Sequence, residues 1–263
     1  MDIPCRLSLL GAEVDAVTPA CVLDFIAARV AQGRGGVVAN HNLHSLYLYR
    51  KSARMRDFYR RADLIEIDST PMIAWGRLLG YDLSRANRCT YLDFREDFWT
   101  RAQAGDWRVY HIGGAREHNA ASKAAILQRH PRARLDVHTG YFDMDGPDNE
   151  ALLADLHARR PQVLLVGMGM PRQEMWILNN LDRLPPCVIL PVGAAFDYEA
   201  GVMYAAPRWT GRLGVEWLVR FAHEPRRLFS RYFLEPWHLV PQALGDLFRA
   251  RRAARPTPAL TVN

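Results

Sequence analysis

The feature that most constrains this chain is an alternation that runs through residues 1–200. Short runs rich in Val, Ile and Leu are each followed by a stretch with helical spacing. The runs are "GGVVAN" (35–40), "DLIEID" (63–68), "WRVYHIGG" (107–114), "RLDVHTGYF" (134–142), "QVLLVGMG" (162–169) and "CVILPVG" (187–193). Among them lie "LHSLYLYRKSARMRDFYRRA" (43–62), "TPMIAWGRLLG" (70–80), "AREHNAASKAAILQRH" (115–130) and "NEALLADLHARR" (149–160), whose apolar residues recur three and four apart. A helix over "PACVLDFIAARVAQ" (19–32) precedes the series, behind a short β-element in "CRLSLLGAEVDAVT" (5–18). Strands that alternate with helices of this length form βαβ units, which build a parallel sheet covered by helices on both faces. The expected fold class is α/β.

In such a sheet, ligands sit in the crevice beyond the carboxyl ends of the strands. Here the strands end in polar or Gly-rich loops: "ANHN" (39–42), "DST" (68–70), "GGAREHN" (113–119), "GMGMPRQE" (167–174) and "GAAFDYEAG" (193–201). These loops are expected to line one rim. The loop at 167–174 has no Gly-Lys-Ser/Thr and lacks the third glycine of a dinucleotide fingerprint. Gly167 and Gly169 would let the backbone approach a ligand, and the helix N-terminus behind them favours an anion. Gln173 adds an amide that both donates and accepts. The alternative is a tight turn that holds nothing.

Asp68 directly follows "LIEI", at the carboxyl end of a strand. It can serve as a general base or cap the helix that begins near Pro71. Asp197 faces the same choice. His41 and His44 stand close enough for a shared metal, but no third ligand is evident beside them, so no metal cofactor is expected.

Composition matters most after residue 200. Residues 201–263 hold ten arginines, no lysine and four acids, which accounts for the whole net charge of +6. Three of the seven tryptophans, Trp209, Trp217 and Trp237, fall there too, on short amphipathic pieces divided by Pro225, Pro236 and Pro241. Such a segment suits a solvated helical face, nucleic acid, or an anionic membrane surface. No apolar run approaches the roughly 18 residues of a membrane span, and the N-terminus carries no long apolar stretch of the signal-peptide kind. The four cysteines are scattered, as in a chain from a reducing compartment. The expected division is a domain over 1–200 and an Arg-rich helical appendage with a loose tail over 201–263.

Three stretches carry a family resemblance: "VGMGMPRQE", "PVGAAFDYEAG" and "APRWTGRLGVEWLVRFAHEPRRLFSRY". Together they resemble the WecG/TagA/CpsF glycosyltransferases, glycosyltransferase family 26, over about residues 8–233. Within the family the chain resembles the β-1,4-glucosyltransferases of xanthan-type assembly. The resemblance implies a Rossmann-like domain with a membrane-binding appendage. It implies an inverting enzyme that takes a sugar from a UDP-sugar and adds it to a polyprenyl-diphosphate-linked sugar, peripherally at the cytoplasmic face of the bacterial inner membrane.

On that basis Asp68 matches the family's aspartate base, although Ser69 and Pro71 replace two glycines around it. Asn42 matches the asparagine of a Thr-x-Asn element, and Asn40 replaces the threonine. Arg88 matches the arginine of the family's Glu-Arg segment and is expected to be catalytic, and Asp93 matches an acid downstream. Gly167, Gly169, Gln173 and Asp197 fall in donor-site segments, and Arg220, Arg227 and Arg231 fall on appendage arginines. The implied partners are the UDP-sugar, the lipid-linked acceptor and an anionic membrane, with no nucleic acid; a homo-oligomer stays possible.

Overall fold

A computed structural model describes residues 6–203, 216–223 and 225–253. An antiparallel hairpin of β1 (Arg6–Leu9) and β2 (Ala12–Asp15) opens the chain, followed by α1 (Pro19–Ala31). Then come β3 (Gly36–His41), α2 (Leu43–Lys51), α3 (Ala53–Arg60), β4 (Leu64–Ile67), α4 (Thr70–Leu78) and α5 (Tyr91–Ala104). The series continues with β5 (Arg108–Gly113), α6 (Arg116–Arg129), β6 (Arg134–His138), α7 (Pro147–Arg159), β7 (Val163–Gly167), α8 (Arg172–Asn180), β8 (Val188–Pro191) and α9 (Ala195–Glu199). Strands β3 to β8 form one parallel sheet in the order β4-β3-β8-β7-β5-β6. This is the expected α/β, Rossmann-like architecture.

The strands are apolar on both sides because both sides are covered. Side chains alternate between faces along a strand. Ala39, Ile65, Ile67, Leu164 and Val166 join one core with residues of α2, α3, α4, α7 and α8. Their neighbours Val38, Leu64, Val163 and Leu165 join a second core with residues of α1, α5 and α6.

Three local differences have local causes. The helix expected over 43–62 breaks at Ser52, whose backbone is extended and whose hydroxyl caps α3 by accepting from Met55 N. Serine favours caps over helix interiors because its side chain competes for backbone hydrogen bonds. Helix α5 was not expected. Its buried residues Tyr91, Phe94, Phe98, Trp99 and Ala102 recur at helical spacing, with charged residues on the opposite face. The strand at 134–142 stops at His138, and α9 forms within the expected loop 193–201.

After residue 203 the described segments are helical: α10 (Glu216–His223), α11 (Pro225–Phe229), a π-helical turn (Ser230–Leu234), a 3-10 stretch (Glu235–Leu239) and α12 (Val240–Ala253). This segment is anchored to the domain. Leu239 is buried in the first core with Ala243 packed against it. Asp246 is also buried, and its Oδ2 accepts from Leu10 N at 2.7 Å and from Trp75 Nε1 at 3.0 Å.

Candidate functional site

The chain leaves β3 for α2 on one face of the sheet and leaves β8 for α9 on the other. The two loops diverge, and a crevice opens beyond the strand ends. It forms a cavity of about 900 Å³. Its wall includes two cross-strand pairs from β3 and β4. Asn40 lies opposite Glu66 in the parallel register. One step higher, Asn42 Nδ2 lies 3.5 Å from Asp68 Oδ2. All four residues line the cavity.

The structure corrects the capping alternative for Asp68. The cap of α4 is Ser69, whose hydroxyl accepts from Met72 N. Asp68 still belongs to the sheet ladder, since its N–H donates to His41 O at 2.8 Å. Its carboxylate therefore meets the cavity rather than the helix end. Asn42 is itself the cap of α2: its Oδ1 accepts from Ser45 N at 3.0 Å, and its N–H donates to Ser45 Oγ at 2.8 Å. The capping bond turns the amide oxygen to the helix and the NH₂ toward Asp68.

Arg88 sits beside β4, where Cys89 N donates to Ile67 O at 2.9 Å and extends the sheet edge. Its Nε lies 3.8 Å from Asp93 Oδ2. Arg85, Arg95 and Arg231 line the same cavity. Arginine presents a rigid fork of donors that matches phosphate oxygens. Arg220 lies on α10 and Arg227 on α11, but both side chains fall outside the described residues.

The loop after β7 holds itself together in detail. Gln173 is buried, and its Oε1 accepts from Gly169 N at 3.2 Å and Gly193 N at 3.1 Å. Its Nε2 donates to Glu174 Oε1 at 2.8 Å. The amide thus clasps the loops after β7 and β8 and shapes the cavity wall. Burial pushes the Glu174 carboxyl up to about 7. Gly167 is a packing glycine, since a Cβ there would lie 2.6 Å from Gly193 O and 2.7 Å from His111 Nε2. Gly169 differs: it has φ +77° and open space where a Cβ would stand.

Other candidates separate. His41 is buried, stacked on Tyr59 at 3.8 Å, and burial pushes its imidazole down to about 3. His44 lines the cavity, with Nδ1 2.6 Å from Glu235 Oε2. His41 Nδ1 meets Ser45 Oγ at 2.9 Å inside the core, whereas His44 meets Glu235 at the cavity. Among the described residues, no group of three or more His, Cys, Asp or Glu side chains is placed to hold one. Asp197 lies within α9 rather than at its cap, with Oδ1 3.0 Å from His118 Nδ1 and close to Gly114, outside the cavity wall.

Sequence reasoning missed Glu66 and the His44–Glu235 contact. Glu66 had a signal: in "LIEID", period-two alternation places it on the same face as Asp68, within a strand otherwise apolar. The second contact spans 191 residues and had none.

Comparison with known proteins gives a consistent result. Two relatives are the N-acetylglucosaminyldiphosphoundecaprenol N-acetyl-beta-D-mannosaminyltransferases of Staphylococcus aureus strains MRSA252 and MW2. Each is 24% identical over 233 residues, covering 85% of this chain and 87% of the relative. The family model for the glycosyl transferase WecG/TagA/CpsF family matches residues 7–253. The chain belongs to the WecG/TagA/CpsF family of glycosyl transferases.

Proposed function

We propose that this protein transfers a hexose from a UDP-sugar, with inversion, to a sugar carried on a polyprenyl diphosphate. The proposed hexose is glucose, joined β-1,4 during assembly of a xanthan-like exopolysaccharide. The observation that carries the transferase reading is the crevice beyond β3, β4 and β8. There a carboxylate at a strand end, Asp68, shares one cavity with Arg88 and Arg231.

In this mechanism Asp68 takes the proton from the acceptor hydroxyl. The acceptor oxygen attacks the anomeric carbon from the face opposite the leaving group, and UDP departs with the bonding electrons. Asn42 Nδ2 steadies the Asp68 carboxylate. Arg88 and Arg231, with Arg220 and Arg227 from the appendage, neutralise charge that grows on the diphosphate. Gln173 holds the loops around the donor, Gly167 lets them pack closely, and Asn40 and Gly169 face the substrate; Asp197, expected there from the sequence, lies outside the cavity wall. With arginines in that role, no metal cofactor is needed.

A second reading, an N-acetylmannosamine-type donor, is favoured by the names of the staphylococcal relatives. A non-catalytic, membrane-attached assembly factor is the remaining alternative. The proposed setting is peripheral, at the cytoplasmic membrane face. Among the described residues, no helix is long and apolar enough to cross a membrane. The test is transfer of radiolabel from a panel of UDP-sugars to a polyprenyl-diphosphate-linked sugar, with and without excess EDTA. Transfer from UDP-glucose that survives EDTA is expected. Transfer only from UDP-N-acetylmannosamine would replace the donor, and no transfer from any donor would remove the enzyme.

A further inference from the structure

Glu66 is the most unusual side chain in the cavity. It sits in the middle of β4, only 4% exposed, yet it lines the cavity. Among the described residues, its Oε1 is buried without a hydrogen-bond partner. Opposite it on β3, Asn40 Oδ1 is buried and likewise has no partner among the described residues. The Asn40 amide is not free to turn, because its Nδ2 donates to Pro191 O of β8 at 3.0 Å. Two buried oxygens therefore stand on neighbouring strands, one tier below Asn42 and Asp68. Successive same-face positions on a strand stand roughly 6.6 Å apart, so the lower pair is about one sugar ring deeper than the upper.

An ionised carboxylate with an unpartnered buried oxygen is far too costly to persist. Burial, with the charges of Asp68 and Asp93 nearby, holds the Glu66 carboxyl well above the usual carboxylate range. The neutral form is the one the burial favours, and it has one O–H to donate and a carbonyl oxygen to accept. The open oxygen of Asn40 is an acceptor. A group that satisfies both must donate to Asn40 Oδ1 and accept from Glu66 O–H. A hydroxyl does both. A phosphate or carboxylate cannot donate, and it would face the Asp68 carboxylate above.

We infer that Glu66 and Asn40 form a hydroxyl-binding subsite at the floor of the cavity, which reads one hydroxyl of a bound sugar and so helps choose the hexose. The inference rests on the glycosyl-transfer reading of the same cavity. The hydroxyl belongs either to the donor hexose or to the acceptor sugar. The chemistry is the same for both.

The test pairs two variants with deoxy substrates. Glu66→Leu removes the hydrogen-bonding groups at nearly constant shape, and Glu66→Gln keeps a neutral donor and acceptor. Transfer is measured with UDP-glucose and its 2-, 3-, 4- and 6-deoxy forms, and separately with a polyprenyl-diphosphate-linked hexose and its deoxy forms. Glu66→Leu should lower kcat/KM roughly tenfold to a hundredfold, while Glu66→Gln stays within a few-fold of wild type. One deoxy substrate should lose as much in wild type yet lose nothing further in Glu66→Leu. Whether it is a donor or an acceptor identifies the sugar that is read.

Melting supplies a second readout that needs no substrate. Glu66→Leu removes an unsatisfied buried polar group, so Tm should rise or hold. A fall in Tm, with every deoxy substrate still losing activity in the variant, would make Glu66 a structural residue and overturn the subsite. Unchanged kcat/KM in Glu66→Leu would overturn it too. If wild type transfers from no UDP-sugar, the glycosyl-transfer reading falls, and with it the sugar as ligand.

Discussion

At the scale of single residues, Asp68 and Glu174 make testable cases. Asp68 is placed to act as a base and takes no part in capping α4, which Ser69 performs. Asp68→Asn should therefore lower kcat by roughly 10²–10⁴-fold, the usual contribution of a general base, with Tm nearly unchanged. Near-normal turnover in the folded variant would remove Asp68 from the mechanism. Glu174 carries a prediction about pH. Its carboxyl rises from an ordinary 4.5 to about 7 through burial. Between those values the folded protein holds a proton that the unfolded chain has released. Its contribution to stability is thus intact below pH 4.5 and lost as pH rises toward 7, by roughly 3 kcal/mol in all. Glu174→Gln should flatten the fall in Tm between pH 5 and pH 8. A wild-type and variant pair with parallel pH profiles would show that Glu174 does not titrate there.

At the scale of elements, the contact between α12 and the domain decides how far the appendage is a separate body. Asp246 accepts from both Leu10 N and Trp75 Nε1, groups that are 236 and 171 residues away along the chain. Asp246→Ala would leave both donors without their partner, at about 1–3 kcal/mol. Tm should fall, and trypsin should cut at Arg249 and Arg251 faster as α12 comes away. Unchanged Tm and cutting would mean that Leu239 and Ala243 hold the helix without Asp246. The same contact explains why the boundary near residue 200, evident from the change in pattern, does not mark the end of the core.

At the scale of the whole molecule, charge and exposed apolar surface coincide. Trp237 is 74% exposed, and Phe229, Phe233, Leu234, Val240, Leu244 and Phe248 are exposed in the same segment. Phe229 and Phe233 lie 5.3 Å apart, ring to ring. A patch of this kind next to an arginine-rich helix suits an anionic lipid surface. The protein should co-sediment with anionic vesicles, less with neutral ones, and partly release at high salt. A Trp237→Ser, Phe248→Ser double variant should lose most of that binding and keep its Tm, since neither side chain is buried. If the protein ignores such vesicles and binds RNA or DNA with steep salt dependence, the appendage serves nucleic acid instead.

The alternation of apolar runs and helical stripes was enough to determine the parallel α/β sheet, because backbone pairing leaves few other ways to bury strands that are apolar on both faces. It also placed Asp68, Asn40, Asn42 and the Gly167–Gln173 loop on one rim, since each follows or ends a strand. Helix α5 was legible too, in the helical spacing of Tyr91, Phe94, Phe98, Trp99 and Ala102, which pack in the second core. Tertiary structure alone decided what each polar group touches. Nothing local to Gln173 reveals that its oxygen is spent on Gly169 and Gly193, or that Glu66 and Asn40 meet across β3 and β4 with acceptors facing the cavity. Strand register and the divergence of chain at β3 and β8 bring those atoms together, and both are set by packing between residues distant in sequence.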